Sequence, residues 1–292
     1  MDQAEGLRAI IKASQQNVRP LARVITVTSG KGGVGKSNTA INLAIQFKKM
    51  GQRVIILDAD FGLANIEIMF GTVPKYNLSD LLYQGKDIKE IITWGTGDVG
   101  FISGGSGIIG LTNLGNDYLK VIIQNLAELD SLADIIIIDT GAGISDVVLE
   151  FLLASDEILL VTTPEPTSIT DSYSVVKALQ QNSRFRADET IIKVVANRVN
   201  TAEDGKLLFN KLNRVVERYL KVPIAYLGAI PQDNRLVEAV MQQKPVSLLA
   251  PYSKSARAYG GLAAGLMDSG AQEKAKKRGM AAFFSHLLAG KK

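Results

Sequence analysis

Ser29-Gly30-Lys31-Gly32-Gly33-Val34-Gly35-Lys36-Ser37-Asn38 is the stretch that decides the fold. It follows the β-branched run Val24-Ile25-Thr26-Val27-Thr28 and opens a segment, 36–50, with helical periodicity. Strand, glycine-rich loop and helix in that order are the context in which G-x-x-x-x-G-K-[ST] binds phosphate. Gly30, Gly32, Gly33 and Gly35 let backbone N–H groups, that of Val34 included, turn inward onto phosphate oxygens. The helix N-terminus at Lys36, Ser37 and Asn38 adds its own donors and the positive end of its dipole. Lys36 is placed to reach the β- and γ-phosphates, and the Ser37 hydroxyl is a ligand for Mg²⁺. The cofactors expected are therefore ATP or ADP with Mg²⁺.

Outward from this loop, short β-branched runs alternate with amphipathic stretches. Strands are predicted at 23–28, 53–57, 99–103, 135–139, 158–162, 191–196 and 224–229, and helices at 36–50, 116–130, 146–154, 168–182, 206–220, 235–243 and 253–268. Strands separated by helices predict an α/β fold, a mostly parallel twisted sheet with helices on both faces. The runs at 54–57 and 135–138 are apolar without alternation, as strands covered on both sides should be. Glycines at 104, 105, 107 and 110 mark a loop. The expected organisation is an N-terminal segment, 1–20, an ATPase domain, 21–272, and a C-terminal basic amphipathic helix, 273–292.

The second carboxylate-bearing motif is Ile135-Ile136-Ile137-Ile138-Asp139-Thr140-Gly141. Four apolar residues ending on an acid form the Walker B pattern, so Asp139 is expected to bond a Mg²⁺-bound water. Gly141 brings a backbone N–H toward the γ-phosphate as a switch. Earlier, Asp58-Ala59-Asp60 puts two carboxylates on one side of an extended chain. At a strand's carboxyl end they point into the crevice where such sheets bind ligands.

Lys31, early in the loop, is a charge that an ordinary phosphate loop does not need. With it the motif resembles the deviant Walker A family, which includes the cell-division ATPase MinD and the partition ATPases. The resemblance implies a homodimer with ATP, in which Lys31 reaches the partner's nucleotide and neutralises transition-state charge. It makes Asp60 the residue that positions the attacking water, and Asp58 a holder of Mg²⁺ and its waters. Val195-Ala196-Asn197-Arg198 and Ile230-Pro231-Gln232-Asp233 resemble the family's adenine pocket, implying roles for Asn197, Arg198, Pro231 and Asp233. Glu165, in Pro164-Glu165-Pro166-Thr167, lies by the same resemblance near the dimer seam, facing a partner's lysine.

Within this family the first residues single out a branch. Asp2-Gln3-Ala4, Leu7 and Arg8 form D-Q-A-x-x-L-R, which resembles the flagellar number regulators known as FlhG, FleN or YlxH. That resemblance implies that Asp2, Gln3, Leu7 and Arg8 activate FlhF, a signal-recognition-particle-like GTPase. It also implies contacts with flagellar C-ring proteins of the FliM and FliY type. The same motifs allow two alternatives, a MinD-like regulator of the division site or a ParA-like DNA-partition ATPase.

Charge and composition prune the list. Residues 273–292 hold six basic residues and one acid, so the remainder of the +4 chain carries a net charge of −1. A DNA-coating protein wants basic residues across its folded body, so nucleic acid is not the expected partner. In the tail, Met280, Phe283, Phe284, Leu287 and Leu288 repeat at helical spacing between basic flanks. That pattern suits an anionic membrane surface, and equally a terminal helix docked on its own domain in the monomer and released in the dimer. The first reading predicts a cytoplasmic protein peripheral on the inner face of the cell membrane. The chain has no cysteine, which excludes disulfides, thiolate chemistry and a cluster-bridging reductase of the nitrogenase iron-protein kind. No signal peptide or apolar span is expected.

Overall fold

The structure, a computed structural model, describes residues 21–60, 65–104, 125–272 and 279–289. In chain order the elements are β1 (Arg23–Ser29), α1 (Lys36–Lys49), β2 (Val54–Ala59), α2 (Asn65–Phe70), α3 (Leu78–Gln84), α4 (Ile88–Ile91), β3 (Thr93–Trp94) and β4 (Gly100–Ser103). They continue with α5 (Leu129–Leu132), β5 (Ile135–Ala142), α6 (Asp146–Leu153), β6 (Glu157–Thr162), α7 (Pro166–Gln181), β7 (Ile191–Val199) and α8 (Ala202–Tyr219). Last come β8 (Ile224–Pro231), α9 (Asn234–Met241), α10 (Val246–Leu249), α11 (Lys254–Gln272) and α12 (Gly279–Ala289).

The strands form one sheet in the order β3-β4-β2-β5-β1-β6-β7-β8. Every pairing is parallel except that of the edge strand β3 with β4. The central strands read as unbroken apolar runs because both faces are covered. Along β5, Ile135 and Ile137 enter one core, and Ile136 and Ile138 enter the other. The first core lies against α1 and α11 through residues such as Phe47, Tyr259 and Leu266. The second lies against α3, α4 and α5. A third, under α6, α7 and α8, covers β6 and β7.

Several elements differ from the sequence expectation. β5 runs past Asp139 to Ala142. The short elements α2, α3, α4, β3 and α10 were not foreseen, because pieces of two to seven residues show no period. Two of them carry a readable signal in N-x-x-D and D-x-x-E. Asn77 with Asp80 and Asp87 with Glu90 form capping boxes that start α3 and α4. The expected helix at 116–130 falls mostly outside the described residues, as do the loop glycines beyond 104 and the N-terminal residues Asp2, Gln3, Leu7 and Arg8.

The C-terminal helix forms where the pattern placed it, but its apolar face points inward. Met280, Phe283, Phe284 and Leu287 are buried in the second core, and the Phe283 ring lies 5.9 Å from that of Phe151 on α6. The side chain of Leu288 is outside the described set. The backbone N–H of Met280 donates to both carboxylate oxygens of Asp130, at 3.0 and 3.1 Å. Gly279, which starts α12, has φ +65°, and a Cβ there would sit 2.5 Å from Asp130 Oδ2. The helix is therefore docked on the ATPase domain, and the face read as lipid-binding is, in this arrangement, core. Among the described residues no helix is long and apolar enough to cross a membrane.

Candidate functional site

β1 is flanked by β5 on one side and β6 on the other, so the loop that follows it opens at the middle of the sheet. Its glycines are dictated by close approaches. Gly35 adopts φ +96°, and a Cβ there would meet the Asn197 amide nitrogen at 2.3 Å. A Cβ on Gly30 would lie 2.2 Å from the backbone of Asp171 in α7. The loop is thus clamped between α7 and the end of β7. The end of β5 is tied to it as well, since Gly143 N–H donates to Ser29 O at 2.8 Å.

Register brings the acids together. Asp58 of β2 lies directly beside Asp139 of β5, and Ala59 beside Thr140. Lys36, 7% exposed, donates from Nζ to Asp139 Oδ1 at 2.9 Å. Asp139 Oδ2 is buried and has no hydrogen-bond partner. Burial pushes the Asp139 carboxyl up, against the pull of the Lys36 ammonium. Asp58 accepts from the N–H groups of Asp60 at 3.1 Å and Ile66 at 3.4 Å. Burial first, and the neighbouring Asp139 second, push its pKa from 3.8 to about 7. Asp60 receives a 3.2 Å bond from the Asn65 amide, and its Oδ1 lies 3.7 Å from where a Cβ on Gly141 would be. Asp58, Asp139, Lys36 and Ser37, and Asp60 beside Gly141, thus lie at the carboxyl ends of β2 and β5 and the start of α1.

These residues fit Mg²⁺. The orphaned Asp139 oxygen, the adjacent Asp58 carboxylate and the Ser37 hydroxyl are hard oxygen donors. Among the described residues no group of three or more His, Cys, Asp or Glu side chains could hold a metal.

The Asp58 shift predicts a pH dependence. Its folded pKa lies above the unfolded value, so the folded protein binds the proton more tightly. Stability should fall as pH rises from about 4 to about 7 and level off above that, by up to ~4 kcal/mol at 1.36 kcal/mol per unit. Asp58→Asn should flatten this slope and stabilise the metal-free protein at pH 8. Urea titrations at pH 5 and pH 8 in chelator would show it, and an unchanged slope would refute it.

Four of the expected site residues have partners within the chain. Asn197 was assigned to the adenine edge. It is 1% exposed, its amide donates to Val34 O at 2.7 Å, and its carbonyl accepts from Arg198 N–H at 2.8 Å. In this structure it braces the phosphate loop from beneath. Asp233 serves as a cap: Oδ1 accepts from Arg235 N–H, and Oδ2 accepts from the N–H and hydroxyl of Ser255 at 2.9 and 2.8 Å. Lys31 and Glu165, both assigned to the dimer seam, pair with each other inside one chain at 2.7 Å. Thr167 Oγ1 accepts a second bond from Lys31 at 2.9 Å, and the Lys31 ammonium holds Glu165 below the usual carboxylate range. Exposed pairs of this kind are weak and readily exchanged.

Arg198 and Pro231 lie at the ends of the neighbouring strands β7 and β8. Arg198 is exposed, with φ +56°, inside the register shift between the Asn197–Ile230 and Val199–Pro231 pairs. Thr167 and the Asp171 backbone are participants that the sequence reading missed. Nothing local marks either, since both act across more than 130 residues.

The phosphate loop after β1, the acids closing β2 and β5, and the parallel sheet define a P-loop nucleoside triphosphatase. A family model described as ParA, NUBPL iron-transfer P-loop NTPase, matches residues 20–267. The antiactivator FleN of Pseudomonas aeruginosa is 38% identical over 237 residues, covering 81% of this chain and 83% of FleN. The flagellum site-determining protein YlxH of Helicobacter pylori is 36% identical over 271 residues, covering 91% of this chain and 90% of YlxH. Among solved structures, the Pyrococcus furiosus cell division ATPase MinD matches with a TM-score of 0.66 and 25% identity, over 85% of this chain and all of MinD. The chain belongs to the FleN/YlxH family of MinD/ParA-type P-loop ATPases.

Proposed function

We propose that this protein is an ATP-driven switch that sets flagellar number and placement. Binding of Mg²⁺–ATP closes two copies into a dimer with membrane and partner surfaces, and slow hydrolysis resets it. The observation that supports this most is the two-lysine loop facing Asp58, Asp60 and Asp139, in a chain related to FleN and YlxH over most of its length. Bound phosphates compete with Asp139 for Lys36, freeing that carboxylate for the magnesium shell. In the dimer Lys31 leaves Glu165 and Thr167 for the partner's nucleotide. Asp60, beside Gly141, orients the attacking water. Arg198 and Pro231 flank the base. The segment from Asp2 to Arg8 activates an FlhF-type GTPase, and C-ring proteins are further partners.

Membrane binding requires α12 to leave its groove. Its four buried apolar side chains are worth about 1.5–3 kcal/mol each, so undocking alone exposes on the order of 10 kcal/mol. Insertion into lipid recovers a comparable amount. The balance then falls to the basic flank, at about 1 kcal/mol per cation near an anionic surface. Two tails on one dimer add avidity. The full chain should float with anionic vesicles when Mg²⁺–ATP is present and remain behind without it. Deleting residues 275–292 should abolish flotation, and a truncated protein that still floats would remove the anchor from the scheme.

A further inference from the structure

One flank of the domain exposes an apolar surface that the nucleotide reading does not use. α9 and α10 pack on each other, and α10 packs on α1 and α11. The end of α2 joins them, because a Cβ on Gly71 would lie 3.5 Å from Gln243 O in the α9–α10 connection. Val73, just after α2, Tyr252, in the turn between α10 and α11, and Met241, at the end of α9, are 88%, 85% and 81% exposed, and Ile68 on α2, Val237 on α9 and Leu248 on α10 are also exposed. Single exposed apolar residues are ordinary, but a cluster of large ones on one flank marks a contact surface. Its rim is basic. Arg235, Lys244, Lys254 and Arg257 are exposed along residues 233–257, against one exposed acid, Glu238, which is paired with Arg235.

The surface rests on a rigid base. Ser247, at the start of α10, donates its N–H to Asn42 Oδ1 at 2.9 Å and receives bonds from Gln46 at its hydroxyl and from Lys49 at its carbonyl. All three partners belong to α1, the helix that begins in the phosphate loop. At the other end, Asp233 ties the start of α9 to Ser255 of α11. A preformed apolar surface loses little conformational entropy on binding.

We infer that this flank docks an amphipathic helical segment of a partner protein, one whose apolar face is bordered by acidic side chains. The apolar cluster receives the face, and the cationic rim selects the charge.

Two synthetic helix-forming peptides test it, identical in their leucine face but carrying either glutamates or lysines opposite. Each is titrated into the full chain and followed by fluorescence anisotropy. The acidic peptide should bind, more weakly as salt is raised, and the lysine peptide should not. Met241→Glu, Tyr252→Ala and the pair Lys254→Glu with Arg257→Glu should each weaken the acidic peptide about tenfold or more, with melting temperatures unchanged because these side chains are exposed. Equal binding of the two peptides, binding of neither, or binding untouched by the variants would overturn the assignment. Loss of self-association in the Met241→Glu protein with peptide binding unaltered would give the surface to a second copy of the chain and likewise overturn it.

Discussion

Lys36→Ala should weaken ATP binding by about 10²–10⁴-fold. A charge-assisted hydrogen bond is worth about 1.5–3 kcal/mol, contacts to two phosphates roughly double that, and each 1.4 kcal/mol is tenfold in Kd. The same substitution also strips Asp139, fully buried, of its cation. An uncompensated buried charge costs about 3–5 kcal/mol unless the group takes up a proton, and the raised pKa of Asp139 makes that uptake the easier course. Lost nucleotide binding and lost stability are therefore entangled in the single variant. The double variant Lys36→Ala with Asp139→Asn separates them. It should recover the parent melting temperature and remain unable to hold nucleotide. Calorimetric titration with Mg²⁺–ATP, beside a thermal melt, reads both, and parent-like affinity in the refolded double variant would refute the site.

Asp60→Ala should bind ATP normally and hydrolyse it about 10²–10⁴-fold more slowly, the range lost when a positioned acid–base group is removed. The geometry separates the two functions. Asp58 and Asp139 lie side by side in register, with Lys36 bonded to Asp139, whereas Asp60 lies beyond the end of β2, held by Asn65 and close to Gly141. Removing it leaves the Lys36–Asp139 pair and the phosphate loop intact. The variant should accumulate as an ATP-bound dimer in analytical ultracentrifugation. Parent-rate phosphate release would take Asp60 out of the chemistry, and a monomer retaining ATP would break the link between nucleotide and closure.

How much of this was legible in the sequence follows from the range of the forces involved. The phosphate loop, the Walker B strand and the doubly covered sheet are local patterns, and they appear where the residues put them. The tail helix was equally local, and its apolar face is real. Which surface buries that face was not local, since it depends on Phe151 and on the core under α3, α4 and α5. The same limit explains the polar residues. The family resemblance assigns Asn197 and Asp233 to a base, and the sequence carries no sign of the contacts they make within the chain. Their partners, Val34 and Ser255, lie 163 and 22 residues away. A side chain able to donate and accept will satisfy the nearest buried backbone group first. The resemblance assigns both Lys31 and Glu165 to a dimer seam, but a single sequence carries no sign that they find each other across 134 residues of one chain.

The contact between Asp130 and the first turn of α12 has a consequence for experiment. Because both carboxylate oxygens converge on one backbone N–H, and Gly279 leaves no room for a methyl group, Gly279→Ala would loosen the tail while sparing every side chain proposed to enter lipid. It is a handle on the partition constant between groove and bilayer that leaves the anchor's own greasiness untouched. If vesicle attachment of that variant no longer waits for nucleotide, the timing of membrane residence is written in a hinge one residue long.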